Sequence, residues 1–218
     1  VKGSVDTPLE IRRVLFVSSY HPEQVWERKV LNGVRKQLER TGYNIDLRVV
    51  YLDSKRLTNI EVRNSLLETQ LREIRGKLDL IIVLDEEANN ALFSLDIPQV
   101  KETPIVFCGV MQYSKKSGFD QVTGVICAID YEQLFLLGRK LFPEAQKVYV
   151  FSDLSGAGRV HEALARQQLS KYKDCFPINF AGDTISDVNS FIKELQEIYP
   201  LSFVILTTWQ HGSRGVYL

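Results

Sequence analysis

The feature that most constrains this chain is an alternation. Short apolar runs rich in β-branched and aromatic residues take turns with amphipathic stretches of helical period. "RVLFVSS" (13–19) is the first such run and reads as a buried strand. Val30, Val34 and Leu38 then repeat every four residues with charges between them, a helical stripe that Gly42 ends. "IDLRVVYL" (45–52) alternates like a strand. Thr58 with Glu61 reads as a capping box opening the next helix, whose stripe is Leu67, Leu71, Ile74 and Leu78. "LDLIIVL" (78–84) reads as a strand buried on both faces, Asp85 opens a shorter helix to about Leu95, and "TPIVFCGV" (103–110) is a fourth strand.

The rhythm breaks at "MQYSKKSGFDQ" (111–121), which is polar and irregular and reads as a crossing between two lobes. It then resumes with "VTGVICAI" (122–129) as a strand. Asp130 and Gln133 form a second capping-box pattern, ahead of a stripe at Leu134, Leu137 and Leu141. "KVYVFSD" (147–153), "CFPINF" (175–180) and "SFVILTT" (202–208) are further strands. "GAGRVHEALARQQL" (156–169) and the stripe Val188, Phe191, Leu195, Ile198 are helices between them.

Strands alternating with helices place the chain in the α/β class, with parallel sheets covered on both faces. The layout expected is a polar extension at 1–12, a first doubly wound lobe at 13–121 and a second at 122–218. At 218 residues the chain is long enough for both. A hydrophobic content of 44% supports cores for both.

Charge excludes some partners. Lys plus Arg and Asp plus Glu are both 27, so neither a nucleic-acid groove nor a basic membrane patch is expected. Cys108, Cys127 and Cys175 are too widely spaced for a metal motif or a disulfide framework. No apolar run approaches the ~20 residues that span a bilayer. No signal-peptide pattern opens the sequence, and "VKGSVDTPLE" reads as a trimmed start. That leaves a cytoplasmic protein or a piece cut between targeting segments.

In open parallel sheets, ligands bind beyond the carboxyl ends of the strands. The residues at those positions are Ser19, Tyr20, His21 and Trp26 after the first strand, and Asp53, Lys55 and Arg56 after the second. Asp85, Glu86 and Glu87 follow the third, and Cys108, Gly109 and Met111 the fourth. In the second half Ser152, Asp153 and Ser155 follow one strand, and Thr208, Trp209 and Gln210 the last.

Each has a plain structural reading beside the functional one. His21-Pro22 can simply start a helix with Pro at the first position. Trp26 can pack under the turn or anchor a ligand at a pocket mouth. Asp53 with Arg56 reads as a loop brace, Asp85 as an N-cap, and Glu86 and Glu87 as acids favoured by a helix amino terminus. Catalytic patterns are missing. "SSYHPEQVW" has no glycine to cradle phosphate, "SGAG" (155–158) can hold an anion but lacks a P-loop lysine, and no HExxH, CxxC or GxSxG occurs. Asp85 with Glu86 as a Mg²⁺ pair is a very unspecific signal. His161 reads as mid-helix and solvated.

Taken together, "SSYHPEQVWERKVLNGVRKQL", "YLDSKR", "LIIVLDEEANNAL", "TPIVFCGV", "VTGV" and "FSDLSGAGR" resemble, in order and spacing, a family of extracytoplasmic sensor domains. These domains are similar to the substrate-binding proteins of ABC transporters and serve as input domains of bacterial membrane histidine kinases. The resemblance runs from about Arg13 to the end of the chain. It implies a periplasmic-binding-protein-like fold of type I, with a ligand cleft between two α/β lobes and no catalysis or cofactor in this segment. Carried over by position, Ser19, Tyr20, His21, Trp26, Asp85, Glu86, Gly109 and Met111 line the first-lobe wall, and Asp153 and Trp209 face them from the second lobe. Two positions depart from the family. Met111 stands where Asn is usual, and Gln210-His211 where an Asp is usual.

The resemblance also implies a small-molecule ligand or a periplasmic partner protein, flanking transmembrane helices in a longer protein, and dimeric signalling. The second lobe is expected to be incomplete at 218. The competing readings are a substrate-binding protein of an ABC importer, with the same binding physics and a different output, and a two-lobed sugar-nucleotide transferase, which no motif demands.

Overall fold

The computed structural model describes residues 10–181 and 187–209. Residues 1–9 of the extension expected at 1–12, and the departure at Gln210-His211, lie outside the described residues. The chain divides into two compact units, Val1–Ala128 and Ile129–Leu218.

In the first unit, five strands form one parallel sheet: β1 (Ile11–Ser18), β2 (Asn44–Tyr51), β3 (Leu80–Leu84), β4 (Ile105–Val110) and β5 (Val122–Ile126). Their order across the sheet is β2-β1-β3-β4-β5. The helices are α1 (Val25–Glu39), α2 (Ile60–Arg72), α3 (Glu86–Ser94) and the short α4 (Pro98–Glu102). Strand β1 from Val14 onward and nearly all of β3 are buried because the sheet is covered on both sides. On one face, Leu67 and Leu71 of α2 pack with Ala88, Ala91 and Leu92 of α3 over Leu15, Val17, Ile81 and Val83. On the other, Leu31, Val30, Val34 and Leu38 of α1 cover Val14, Phe16, Ile82 and Leu84.

Several expectations change here. The strand at 122 belongs to the first sheet, with Ile105 paired to Val122 and Phe107 to Gly124. Gly124 permits the approach, since a Cβ there would sit 2.3 Å from the Phe107 carbonyl oxygen. The boundary therefore falls near 128, not at 121. The irregular 111–121 stretch is the crossover that a parallel β4–β5 pair requires. It packs in place of a helix, with Tyr113 stacked on Phe107 at 4.5 Å and Phe119 edge-on to Phe93 at 4.8 Å. Asn59, not Thr58, caps α2, accepting from the Glu61 and Val62 amides. Helix α1 begins at Val25, so Pro22 lies in the preceding turn and is not the first helical residue. Strand β1 starts at Ile11, two residues before the expected edge of the lobe.

The second unit has a three-stranded parallel sheet, ordered β7-β6-β8, from β6 (Lys147–Phe151), β7 (Ile178–Phe180) and β8 (Ser202–Leu206). Its helices are α5 (Tyr131–Leu141), α6 (Gly156–Leu169) and α7 (Val188–Gln196). The α5 stripe is not the expected one. Leu134, Leu137 and Leu141 are exposed, and Tyr131, Phe135 and Gly138 face inward. Gly138 decides this, because a Cβ at that point would fall 2.3 Å from the Phe203 ring of β8. His161 of α6 is half-buried, not solvated, with Nδ1 2.5 Å from the Tyr131 hydroxyl. Burial lowers the His161 pKa.

Candidate functional site

The two unit sheets each reverse winding direction once. In the first, chain progression from β1 goes outward to β2 and then returns past β1 to β3, so the crevice lies beyond the carboxyl ends of β1 and β3. Ser19 stitches those ends together. Its Oγ donates to the Leu84 carbonyl at 3.1 Å and accepts from the Ala88 amide at 2.8 Å, and its backbone carbonyl accepts from Ser54 N–H. Ser19 is fully buried, so it acts as a brace under the crevice, and direct contact with a ligand is not what its position offers.

Tyr20, also buried, carries Lys55 over its ring at 4.9 Å. The next residues turn tightly. Glu23 N–H donates to His21 Nδ1 at 3.2 Å and Gln24 N–H to the His21 carbonyl at 3.1 Å. That turn delivers Trp26 to the first turn of α1. The Trp26 ring lies against Gly109, where a Cβ would be 2.7 Å from Trp26 Cη2 and 3.4 Å from Asp85 N. Gly109 has φ +76° and sits where the β4–β5 register shifts, a bulge that turns the chain beneath the indole.

Asp85 adopts φ +73° with ψ 166°, a backbone region used almost solely by glycine. Its carboxylate accepts from the Glu86 amide at 2.6 Å, so it does cap α3. Burial raises its pKa, against hydrogen bonds from the Glu86 and Glu87 amides and from the Tyr20 and Ser19 side chains. Glu86 reaches across to accept from Met111 N–H at 3.3 Å. Its pKa is raised by burial as well, and further by the charges of Asp85 and Glu87. Tyr20, Trp26, Asp85, Glu86, Gly109 and Met111 thus converge on one patch of the first unit, with His21 at its margin.

Two participants escape a reading of strand ends. Glu27 is almost wholly buried and accepts from the Ser18 hydroxyl and, at 3.2 Å, from the Tyr20 amide. Its sequence signal is position: Glu27 lies one turn before Leu31 on the apolar stripe of α1. Arg63 is the other. It pairs with Glu87 at 2.6 Å and donates to the Leu57 carbonyl at 2.7 Å. Glu87, readable as a mere helix-start acid, is held by that pair. Asp53 and Arg56 form the expected brace at 3.5 Å. Burial pushes the Cys108 thiol up to about 11, which disfavours its thiolate.

In the second unit the reversal lies between β6 and β8, and there Thr207 Oγ1 meets Ser152 Oγ at 3.0 Å. Asp153 is buried and accepts from Ser155 Oγ at 2.5 Å and Ser155 N at 3.2 Å, while Ser155 Oγ caps α6 through Gly158 N. Trp209 packs its ring 4.7 Å from Phe191 of α7. Asp153 and Trp209 therefore lie at the carboxyl ends of their own sheet, and each has an internal packing role. Among the described residues, no group of three or more His, Cys, Asp or Glu is placed to hold a metal. A separate cavity of about 530 Å³ opens at the amino ends of β1 and β2, where Arg13 and Arg48 are matched by Asp46 and Glu73.

No protein-family model matches the sequence, and no curated protein matches it. Solved structures do. A conserved domain protein from Vibrio cholerae superposes with TM-score 0.58 at 17% identity, covering 78% of this chain and 57% of its own. The ligand-free, open structure of a substrate binding protein with adhesive properties from Clostridium difficile gives 0.56 at 18% identity, covering 88% and 65%. A branched chain amino acid ABC transporter protein from Thermus thermophilus with bound valine gives 0.60 at 13%, covering 93% and 53%. The chain thus spans roughly half to two thirds of these structures. At such identities the likeness is one of fold, and the fold is periplasmic-binding-protein-like, type I. Among the described residues no helix is long and apolar enough to cross a membrane.

Proposed function

We propose that this chain is the extracytoplasmic ligand-binding input domain of a membrane-bound two-component sensor histidine kinase. It binds a small molecule or a periplasmic partner, passes the signal to a transmembrane helix, and performs no bond-making itself. The observation that carries the reading is the convergence of Tyr20, Trp26, Glu86 and the Met111 amide around Gly109, at the reversal point of the first sheet. An aromatic platform with a few fixed polar groups is what a small-molecule site needs. A ligand there shifts the domain only by its difference in affinity for two conformations, and a coupling of ~1–3 kcal/mol is typical of such transmission. The sequence resemblance points to the kinase output.

Differential scanning fluorimetry against a panel of amino acids, sugars and small organic acids tests the binding. At a hundredfold excess over Kd a ligand stabilises by about 2.7 kcal/mol, and the gain should vanish in Trp26→Ala. A panel that shifts nothing, together with a partner captured from periplasm, would move the reading to protein sensing. The second reading, a substrate-binding protein of an ABC importer, is favoured by the similar structures from Clostridium difficile, a substrate binding protein, and Thermus thermophilus, a branched chain amino acid ABC transporter protein. The coding sequence beyond both ends separates them: a hydrophobic span of ~20 residues followed by a kinase segment supports the sensor.

A further inference from the structure

Glu27 is the buried acid that the strand-end reading does not use. It lies in the first turn of α1, under the loop that carries Tyr20 and leads into Trp26. One carboxylate oxygen accepts from Ser18 Oγ of β1, the other from Tyr20 N–H at 3.2 Å. Around it stand Asp85 at the end of β3, Lys55 after β2, Tyr51 of β2 and Cys108 of β4, each within its electrostatic reach. Only Lys55 in that ring is a cation, and it is engaged over the Tyr20 ring at 4.9 Å.

We infer that Glu27 is a positioning residue that couples one proton to the placement of Tyr20 and Trp26, and through them to recognition at the strand ends. The inference rests on the reading of that patch as the ligand site. In the ionised form the carboxylate takes two charge-assisted hydrogen bonds, which are roughly twice as strong as neutral ones. When Glu27 takes a proton from solvent, the new O–H must find an acceptor. Ser18 Oγ is the nearest, so the Ser18 hydroxyl turns its own proton elsewhere and the Tyr20 amide keeps only a neutral acceptor. The loop from Tyr20 to Val25 is then held less tightly, and it is this loop that sets the indole against Gly109. Burial pushes the Glu27 carboxyl up to about 7, opposed by its Ser18 and Tyr20 hydrogen bonds and Lys55 and reinforced by the charge of Asp85. The exchange therefore falls at ordinary working pH.

The test needs no ligand. The chain has two tryptophans, so Trp209→Phe leaves Trp26 as the sole reporter. Its emission and acrylamide quenching are followed from pH 5 to pH 9, with Glu27→Gln and His21→Asn in the same background. His21→Asn is the control that removes the imidazole of the same loop. The expected result is a single transition near pH 7 that persists in His21→Asn and is absent in Glu27→Gln. A flat profile in the parent, or a transition that survives Glu27→Gln and disappears in His21→Asn, overturns the inference. Should Glu27→Gln fail to fold, the ¹³C shift of the Glu27 carboxyl in the parent decides: titration in step with the Trp26 signal supports the coupling, and a carboxyl that titrates apart from it removes it. Failure to find a ligand leaves these outcomes unaffected.

Discussion

The indole of Trp26 lies against the α-carbon of Gly109 so closely that a Cβ there would come within 2.7 Å of Cη2. Gly109→Ala should therefore cost twice, once for forcing a side chain into φ +76° and once for displacing the ring. A loss of about 1–3 kcal/mol is expected by urea denaturation. In a cycle with Trp26→Ala the steric part should disappear, leaving about 1 kcal/mol of backbone cost. Full additivity of the two changes would show that the ring and the glycine are not in contact.

Glu27 makes stability depend on pH in a definite direction. Its folded pKa, about 7, lies above the ordinary 4.5 because burial opposes its charge. The folded state then binds the proton more tightly than the unfolded one. The contribution is fully present below the ordinary value and is lost as pH rises through about 7. Glu27→Gln, which cannot ionise, should be the more stable protein at pH 8 by about 1–3 kcal/mol and no better at pH 4.5. Thermal melts of both proteins across that range check it, and parallel curves would contradict the buried charge.

Arg63 is buried where it meets Glu87 and the Leu57 and Thr58 carbonyls. Arg63→Ala strips three acceptors at once and should cost about 2–4 kcal/mol, read as a lower urea midpoint at unchanged slope. Glu87→Gln keeps a hydrogen-bond acceptor and should cost about 1 kcal/mol. Equal losses would mean that the ion pair, not the carbonyl contacts, dominates.

Asp153 is the test of whether strand-end acids in the second unit are structural. Its Oδ1 holds Ser155, and Ser155 caps α6. Asp153→Ala should lower the stability of the ligand-free protein by about 1–2 kcal/mol, as loss of a capping arrangement does. Unchanged stability with lost ligand binding would reverse that assignment and make the acid a contact residue.

Much of this was legible in the residues because periodicity reports burial directly. A strand covered on both faces must be apolar at every position, as 80–84 is, and an amphipathic helix must repeat its apolar positions, as α1 does. The rule that ligands gather beyond strand ends then pointed to Tyr20, Trp26, Asp85, Glu86, Gly109 and Met111, which the fold brings to one patch. Periodicity failed where a side chain's partner lies far along the chain. The leucines of α5 repeat as well as any core stripe, yet Gly138 meeting Phe203 turned the other face inward.

What the amino-acid order determined alone was the α/β class, the alternation of strand and helix in each half and the roster of residues at the strand tips, because these follow from local spacing. Tertiary structure alone decided that β5 closes the first sheet, that Ser19 is a buried brace, and that Glu27 places a buried carboxyl beneath the loop from Tyr20 to Val25. Each of those depends on which distant backbone or side chain arrives at hydrogen-bonding range, and no spacing within a single segment encodes that distance.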